Sequence, residues 1–370
     1  MEPRDPSTPP DSRRADAGAP LPPVARVPGV RELLRLFPDP VSVGRGSIAV
    51  EGGITVVAGP GMGRTTLIRQ LVPALERERG IPVALVSMPR PSGASGDAGF
   101  QGWLGALVEQ ARAGLLASKL VAAPEQADLR AALTEPATED GGSGVRVTPP
   151  GLERWVARVG AAARTGGVCL LVDDVDLAAA ESWKVAFMAA LRFAFQASAR
   201  VTPIYACWRL YLEETSPGSH YFRNVTRPVF LAPLSAAAGA AGEPSERDAL
   251  VERLLPGLPA AARARVFGLA GGHPQLLERV LSDLRQAAGP GAGIDAGAVD
   301  GLLASALPGE RALAAGVLAH SPELAAALRE LARAEAYPYR GLSKVMVASG
   351  LVDRDAGERA VVPELVRAAL

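Results

Sequence analysis

The sequence predicts an α/β protein: a three-layer core around a parallel sheet, followed by a helical lid and a small winged helix. Three observations predict this fold class. A glycine-rich turn separates an apolar strand from a helix within 54–75. A second apolar strand ends in paired aspartates within 168–174. Beyond residue 234 the apolar spacing becomes helical, and a helix-and-hairpin pattern occupies 301–370.

The glycine-rich turn has the composition of a phosphate-binding loop. Ile54 to Val57 is a β-branched apolar run typical of a buried parallel strand, and Leu67 to Leu75 has helical spacing. Glycines allow successive backbone N–H groups to turn inward, and the helix N-terminus adds a partial positive charge. The residues expected to bind phosphates are Gly59, Pro60, Gly61, Met62, Gly63, Arg64, Thr65 and Thr66.

The loop differs from the phosphate-loop pattern G-x-x-x-x-G-K-[ST] at two positions. Ala58 stands where the first glycine belongs, and Arg64 stands where the lysine belongs. The arginine keeps the charge but replaces a compact ammonium with a wide planar fork. Thr65 is expected to offer its hydroxyl to Mg²⁺. The loop therefore predicts phosphate binding, with weaker support for phosphoryl transfer.

Paired carboxylates follow the apolar run Val168–Val172. Because that run predicts a buried parallel strand, its C-terminal end would place acid beside the phosphate loop. Asp173 is expected to hold Mg²⁺ through water, and Asp174 is the expected catalytic, water-activating acid. The alternative is that the two carboxylates cap the following helix, which is less favoured downstream of a phosphate loop.

Arg209 follows Val201–Cys207, an apolar run that predicts a further strand of the sheet. At the tip of that strand, the arginine is expected to reach a γ-phosphate and to report whether it is present. The alternative is a surface arginine paired with Glu213 or Glu214.

Composition and periodicity divide the chain into four segments. Residues 1–28, rich in Pro, Ser, Asp and Arg, form a predicted disordered tail. The core covers 29–233 and contains a predicted exposed insertion at about 122–150, with acidic residues, prolines and glycines. Residues 234–300 form the helical lid, and 301–370 the winged helix, with three helices before a β-hairpin.

Composition also restricts the class of protein. Lys+Arg and Asp+Glu both number 39, so the formal charge is +0 and no general attraction to nucleic acid is expected. Cys169 and Cys207 lie in apolar strand-like runs, which favours core packing over a disulfide or a metal site. No apolar run approaches the length of a membrane span. We expect a cytoplasmic protein without membrane contact.

The predicted winged helix favours a protein partner over DNA. Its third helix, at 340–349, is the one that would read DNA, but Arg340 and Lys344 are its only basic residues. The other large side chains of this helix are apolar and suited to packing. DNA therefore stays the weaker alternative for this unit.

With these elements in order, the sequence from Val41 to Leu370 resembles the signal-transduction NTPases of the STAND class, which are P-loop NTPases related to AAA-type ATPases. Ala58–Thr66 resembles their phosphate loop with a degenerate Walker A motif, and Leu170–Val175 resembles their Mg²⁺-binding motif. Tyr205–Arg209 occupies the place of their sensor arginine. Gly272–Pro274 resembles the Gly-x-Pro motif of their lid.

The resemblance implies ATP or ADP with Mg²⁺ between core and lid, with Pro274 packed near the adenine. It implies a switch whose nucleotide state controls a partner protein carrying a sensor or effector, with homo-oligomers possible. Pro363 stands where the family often has a histidine that contacts the ADP β-phosphate. Hydrolysis is expected to be slow, and Arg64→Lys with Asp174→Glu to raise it about tenfold. The alternatives are an AAA-type ATPase that assembles on DNA and a nucleotide-independent scaffold.

Overall fold

The computed structural model describes most of the chain from residue 27 onward. The described residues are 27–37, 53–90, 96–135, 146–163, 167–196, 198, 200–213, 225–236, 244–288, 294–295, 297, 299–301, 308–319, 321–334, 337–354 and 359–370. Almost all of the predicted tail and the glycine-rich part of the predicted insertion lie outside these ranges.

A five-stranded parallel sheet forms the centre of the core. Its strands are β1 (Ile54–Val57), β2 (Val83–Ser87), β3 (Val168–Asp173), β4 (Val201–Cys207) and β5 (Arg227–Phe230). Their order in the sheet is β2-β3-β4-β1-β5. The C-terminal ends of β1, β4 and β3 therefore meet at one edge, with β4 in the middle. Sequence patterns missed β5, because it is short and begins with Arg227 and Pro228.

Helices cover both faces of the sheet. They are α1 (Val27–Leu34), α2 (Arg64–Ala74), α3 (Asp97–Ala117), α4 (Ala127–Thr134), α5 (Pro149–Ala162), α6 (Lys184–Gln196) and α7 (Arg209–Glu213). One face packs on α1 and α2 through a buried cluster that includes Leu33, Leu67 and Ile204. The other face packs on α3, α5 and α6. No described helix is long and apolar enough to cross a lipid bilayer.

The prediction of an exposed insertion at about 122–150 is wrong for the first part of that segment. Helix α4 lies there, preceded by a 3-10 turn at Pro124–Gln126, and packs against α3 and α5. Its apolar side chains Leu129 and Leu133 are fully buried. The acidic residues and prolines around this helix gave the segment the composition of a loop, although i, i+4 leucines cover a core face.

The lid and the C-terminal unit continue the apolar core rather than forming separate ones. The lid contains α8 (Glu246–Leu254), α9 (Ala260–Ala270) and α10 (Pro274–Ala288). The C-terminal unit (residues 301–370) contains α11 (Pro308–Ala319), α12 (Pro322–Arg333), α13 (Lys344–Ala348), the hairpin strands β6 (Asp353–Arg354) and β7 (Ala360–Val361), and α14 (Glu364–Arg367). Three helices precede a hairpin, as the sequence predicted; the identity of this unit as a winged helix stays a prediction.

Candidate functional site

The glycine-rich turn links β1 to α2 and leaves backbone donors available. Gly61 and Gly63 have positive φ angles of 75° and 79°, a region that side chains with a Cβ rarely adopt. Among the described residues, none accepts a hydrogen bond from the N–H groups of Gly63, Arg64 or Thr65. These donors lie at the N-terminus of α2, where anions are stabilised, and the Thr65 side chain beside them is exposed. The turn can therefore hold phosphate.

The Arg64 side chain forms an ion pair that the sequence did not predict. Its Nη1 donates to Oδ2 of Asp176 at 2.6 Å, and both side chains are about one-fifth exposed, at 18% and 19%. Burial opposes the positive charge, but the carboxylate of Asp176 more than offsets burial and raises the pKa of Arg64. The guanidinium is thus held over the end of the sheet.

Asp176 connects this ion pair to the end of β4. Its carboxylate also accepts hydrogen bonds from the backbone N–H of Trp208 at 2.8 Å and of Leu210 at 3.1 Å. Sequence reasoning gave Asp176 no role, because its partners lie 32 to 112 positions away along the chain. The available signal was an acid three residues after Asp173, at the edge of the predicted phosphate site.

The predicted acids lie at the C-terminal end of β3. Asp173 is 3% exposed, and its Oδ1 accepts the N–H of Asp174 at 2.9 Å. Asp174 is exposed and has φ of 61°, the only positive φ of a non-glycine residue in the described part of the chain. Although the residue as a whole is exposed, partial desolvation of its carboxyl, and next the charge of Asp173, raise the pKa of Asp174. Strained backbone combined with a raised acid pKa is a feature of functional sites.

Arg209 is the first residue of α7 and lies between Trp208 and Leu210, the two residues whose N–H groups Asp176 accepts. Its backbone is therefore fixed at the same edge of the sheet as Asp173 and the glycine-rich turn. Pro274 is the first residue of α10, in the lid. Both positions agree with the predicted site, but the roles of the two residues stay predictions.

The lid contacts the loop through His273 and Gln275. Nδ1 of the buried His273 accepts the N–H of Leu276 at 3.3 Å, so Nε2 carries the proton and donates to the carbonyl of Pro60 at 3.1 Å. The N–H of Gln275 donates to the carbonyl of Gly61 at 3.3 Å. These bonds fix the position of the loop relative to α10.

The C-terminal unit contacts the same loop from another side. The N–H of Gly59 donates to the carbonyl of Ala348, the last residue of α13, at 2.8 Å. A Cβ on Gly59 would lie 2.7 Å from the carbonyl oxygen of Ser349, and one on Gly350 would lie 2.1 Å from Sδ of Met62. The two backbones approach so closely that glycine is required at Gly59, and Gly350 also has a positive φ of 73° that favours glycine.

A metal ion at this site would need additional oxygen ligands from a bound molecule such as a nucleotide. Among the described residues, no three His, Cys, Asp or Glu side chains form a group that could hold a metal ion. Thr65 and Asp173 are oxygen donors, the type that Mg²⁺ prefers, and Mg²⁺ is usually bound by one or two protein oxygens plus substrate phosphates. The donor set therefore fits Mg²⁺ bound together with a nucleotide.

No protein-family model matches the sequence, and no curated protein matches it either. Among solved structures, the Walker-type ATPase PABY2304 of Pyrococcus abyssi has a TM-score of 0.51 at 12% identity, over 93% of this chain and 94% of that chain. The Aeropyrum pernix ORC1 protein in complex with DNA has a TM-score of 0.44 at 14% identity, covering 94% and 93%. The RuvB Holliday junction branch migration motor of Thermotoga maritima has 0.38 at 11%, covering 92% and 93%.

These similarities concern the fold. The parallel sheet, the position of the glycine-rich turn after β1 and the carboxylates after β3 are all present at one edge of the core. The chain therefore has the α/β fold of the Walker-type ATPases.

Proposed function

We propose that the protein binds an adenine nucleotide with Mg²⁺ at the glycine-rich turn and acts as a switch. The nucleotide would determine whether the C-terminal unit remains in contact with the loop. One observation carries this proposal: the N–H of Gly59 is bonded to Ala348 of the C-terminal unit while the carbonyl of Pro60 is bonded to His273 of the lid. A ligand that enters the loop therefore acts on both units.

The roles of the core residues follow from their chemistry. The N–H groups of residues 63–65 would bind phosphate oxygens, and Thr65 with Asp173 would hold Mg²⁺, which neutralises phosphate charge when bound. Asp174 would orient a water molecule, and Arg209 would contact the terminal phosphate. Slow hydrolysis is expected, because the side chain of Arg64 is engaged by Asp176.

The adenine preference, the position of Pro274 beside the base, and a partner protein with a sensor or effector come from the family resemblance. Self-association is a further expectation of the same kind. A switch of this type acts by presenting different surfaces to its partner in its two states, and only a ligand with different affinities for those states can shift them.

The alternative is an AAA-type ATPase that assembles on DNA, as the ORC1 structure in complex with DNA suggests for that protein. In this chain, Ala348 and Ser349 at the end of α13 are fully buried, and Nζ of Lys344 lies 5.8 Å from the ring centroid of Phe230 in β5. The C-terminal end of this helix is therefore held against the core, while its first residue, Lys344, is exposed. The alternative predicts that ATP increases salt-sensitive DNA binding.

Hydrogen exchange tests the switch directly. We expect the amides of residues 344–351 to exchange at different rates in Mg²⁺–ADP and in Mg²⁺–ATP, because the two ligands differ in the charge placed at the loop. Thr65→Ala is the control that weakens ligand binding without touching the contact with Ala348. Bound nucleotide that leaves these amides unchanged in both states would contradict the switch.

A further inference from the structure

We propose that Asp176 is a positioning residue for nucleotide binding, which holds the guanidinium of Arg64 at the phosphate loop and connects it to the segment that carries Arg209. This inference rests on the proposed function and adds a residue that neither the phosphate-loop pattern nor the resemblance includes. It also explains the arginine at a position where the pattern has lysine.

The orientation of the Asp176 carboxylate is fixed by three donors. Oδ2 accepts Nη1 of Arg64 at 2.6 Å and the N–H of Trp208 at 2.8 Å, while Oδ1 accepts the N–H of Leu210 at 3.1 Å. Two of these donors belong to the backbone at the end of β4. The two backbone N–H groups fix the orientation of the Asp176 carboxylate. The carboxylate therefore also fixes the orientation of the Arg64 guanidinium.

The guanidinium of Arg64 has further N–H donors that are available to bind a ligand. Only Nη1 is bonded to Asp176, and among the described residues no acceptor is bonded to Nε or Nη2. The side chain is 18% exposed and starts from the first residue of α2, beside the loop N–H groups that no described residue accepts. Since a guanidinium carries donors on more than one edge, it can bind a carboxylate and a phosphate together.

A lysine at position 64 would be less suited to bind the Asp176 carboxylate and a phosphate at the same time. Its ammonium is a point charge, so the group that binds phosphate is also the group that would have to reach Asp176. Without the arginine, the Asp176 carboxylate would lie near the phosphates as an unpaired negative charge and would repel them. The arginine and Asp176 therefore form a matched pair.

The Asp176 carboxylate also couples the position of Arg64 at the loop to the backbone around Arg209. Any movement of Arg64 toward a phosphate alters the bonding of Asp176, whose other partners are the N–H groups on either side of Arg209. The phosphate loop and the end of β4 are thus joined by one side chain, although 112 residues separate Arg64 from Asp176.

Binding of Mg²⁺–ATP to the full-length protein and its variants tests the inference. We expect Arg64→Lys to weaken binding about tenfold, since the matched pair is lost while the backbone bonds of Asp176 remain. The sequence-based expectation concerns a different quantity, a rise in hydrolysis in the double variant Arg64→Lys with Asp174→Glu. Arg69→Lys, at an exposed position of the same helix, is the matched control and should leave the dissociation constant unchanged.

A double-mutant cycle of Arg64→Met and Asp176→Asn, scored by ATP affinity and separately by thermal stability, identifies the coupling. We expect each single variant to weaken binding and the double variant to be no worse than Arg64→Met alone. Additive losses, or Arg64→Lys protein that binds ATP as tightly as wild type, would overturn this inference alone. Wild-type protein that binds no nucleotide would overturn the proposed function as well.

Discussion

At the scale of single residues, Asp174 combines two features that lower the stability of the folded state. Its backbone has a φ of 61°, and its carboxyl has a raised pKa caused first by burial and then by Asp173. Asn and Gly tolerate the left-handed region better than other residues. The native aspartate therefore lowers stability at the position where the proposed function places a water-orienting acid.

The sign of the pH effect follows from the direction of the shift. A carboxyl whose pKa is raised on folding holds its proton to higher pH in the folded state than in the unfolded state. Its unfavourable contribution is therefore absent at pH values below the ordinary pKa of aspartate. It develops as the pH rises from the ordinary pKa of aspartate to the raised pKa of the folded state, and it stays constant above that pH.

We expect Asp174→Asn to be more stable than wild type at pH 7 and to lose this advantage at acid pH. Asp174→Ala should be less stable than Asp174→Asn by about 1 kcal/mol, because alanine is disfavoured in the left-handed region. Thermal unfolding between pH 3 and pH 8 measures both effects. Equal differences between the aspartate and asparagine proteins at all pH values would show that the carboxyl has an ordinary pKa.

At the scale of structural elements, the loop is packed between α10 of the lid and α13 of the C-terminal unit. At Gly59 a Cβ would meet the backbone carbonyl of Ser349 rather than a movable side chain. At Gly61 the φ of 75° already disfavours a side chain, and a Cβ there would meet the side chain of Gln275 of the lid. The contact at Gly59 therefore determines how closely α13 approaches the loop.

Gly59→Ala should separate α13 from the loop and lower the free energy of unfolding by about 1–3 kcal/mol, the usual cost of inserting a methyl group into a packed site. Gly102→Ala is the control, because a Cβ at Gly102 in α3 meets nothing within 4 Å. That variant should gain about 0.5–1 kcal/mol from helix propensity. Denaturant unfolding measures both, and a neutral Gly59→Ala would contradict the close approach.

The sequence predicted the elements of the site better than their contacts. Strands β1, β2, β3 and β4 have strong β-branched or aliphatic runs, and the glycine-rich turn and aspartate pair follow their ends. The ion pair of Arg64 and the bond from Gly59 to Ala348 could not be predicted, because they join segments distant along the chain. Helix α4 was missed because loop-like residues surround a short apolar face.

At the scale of the whole molecule, a buried ion pair joins the lid to the C-terminal unit. Arg247 of α8 donates through both Nη atoms to Asp353 of β6, and their side chains are 6% and 14% exposed. Nε of Arg247 also donates to the carbonyl of Leu234, the first residue of the lid, at 2.9 Å. One side chain thus connects two segments of the lid to the C-terminal unit.

Asp353→Asn should lower the free energy of unfolding by about 3 kcal/mol, because it leaves a buried guanidinium without its charge partner. Glu278→Gln removes a partner of Arg253 in an ion pair whose carboxylate is 50% exposed, and it should cost less than 1 kcal/mol. Denaturant unfolding gives both values. Equal, small losses would show that the Arg247 pair does not hold the C-terminal unit in place.

The central claim is that the glycine-rich turn binds a nucleotide with Mg²⁺, and thermal unfolding with and without that ligand tests it most directly. A ligand that binds only the folded state at one hundred times its dissociation constant adds about 2.7 kcal/mol of stability. We expect Mg²⁺–ADP and Mg²⁺–ATP to raise the melting temperature, and Thr65→Ala and Asp173→Ala to reduce that rise. A melting temperature unchanged at millimolar nucleotide would contradict the claim and favour a nucleotide-independent scaffold.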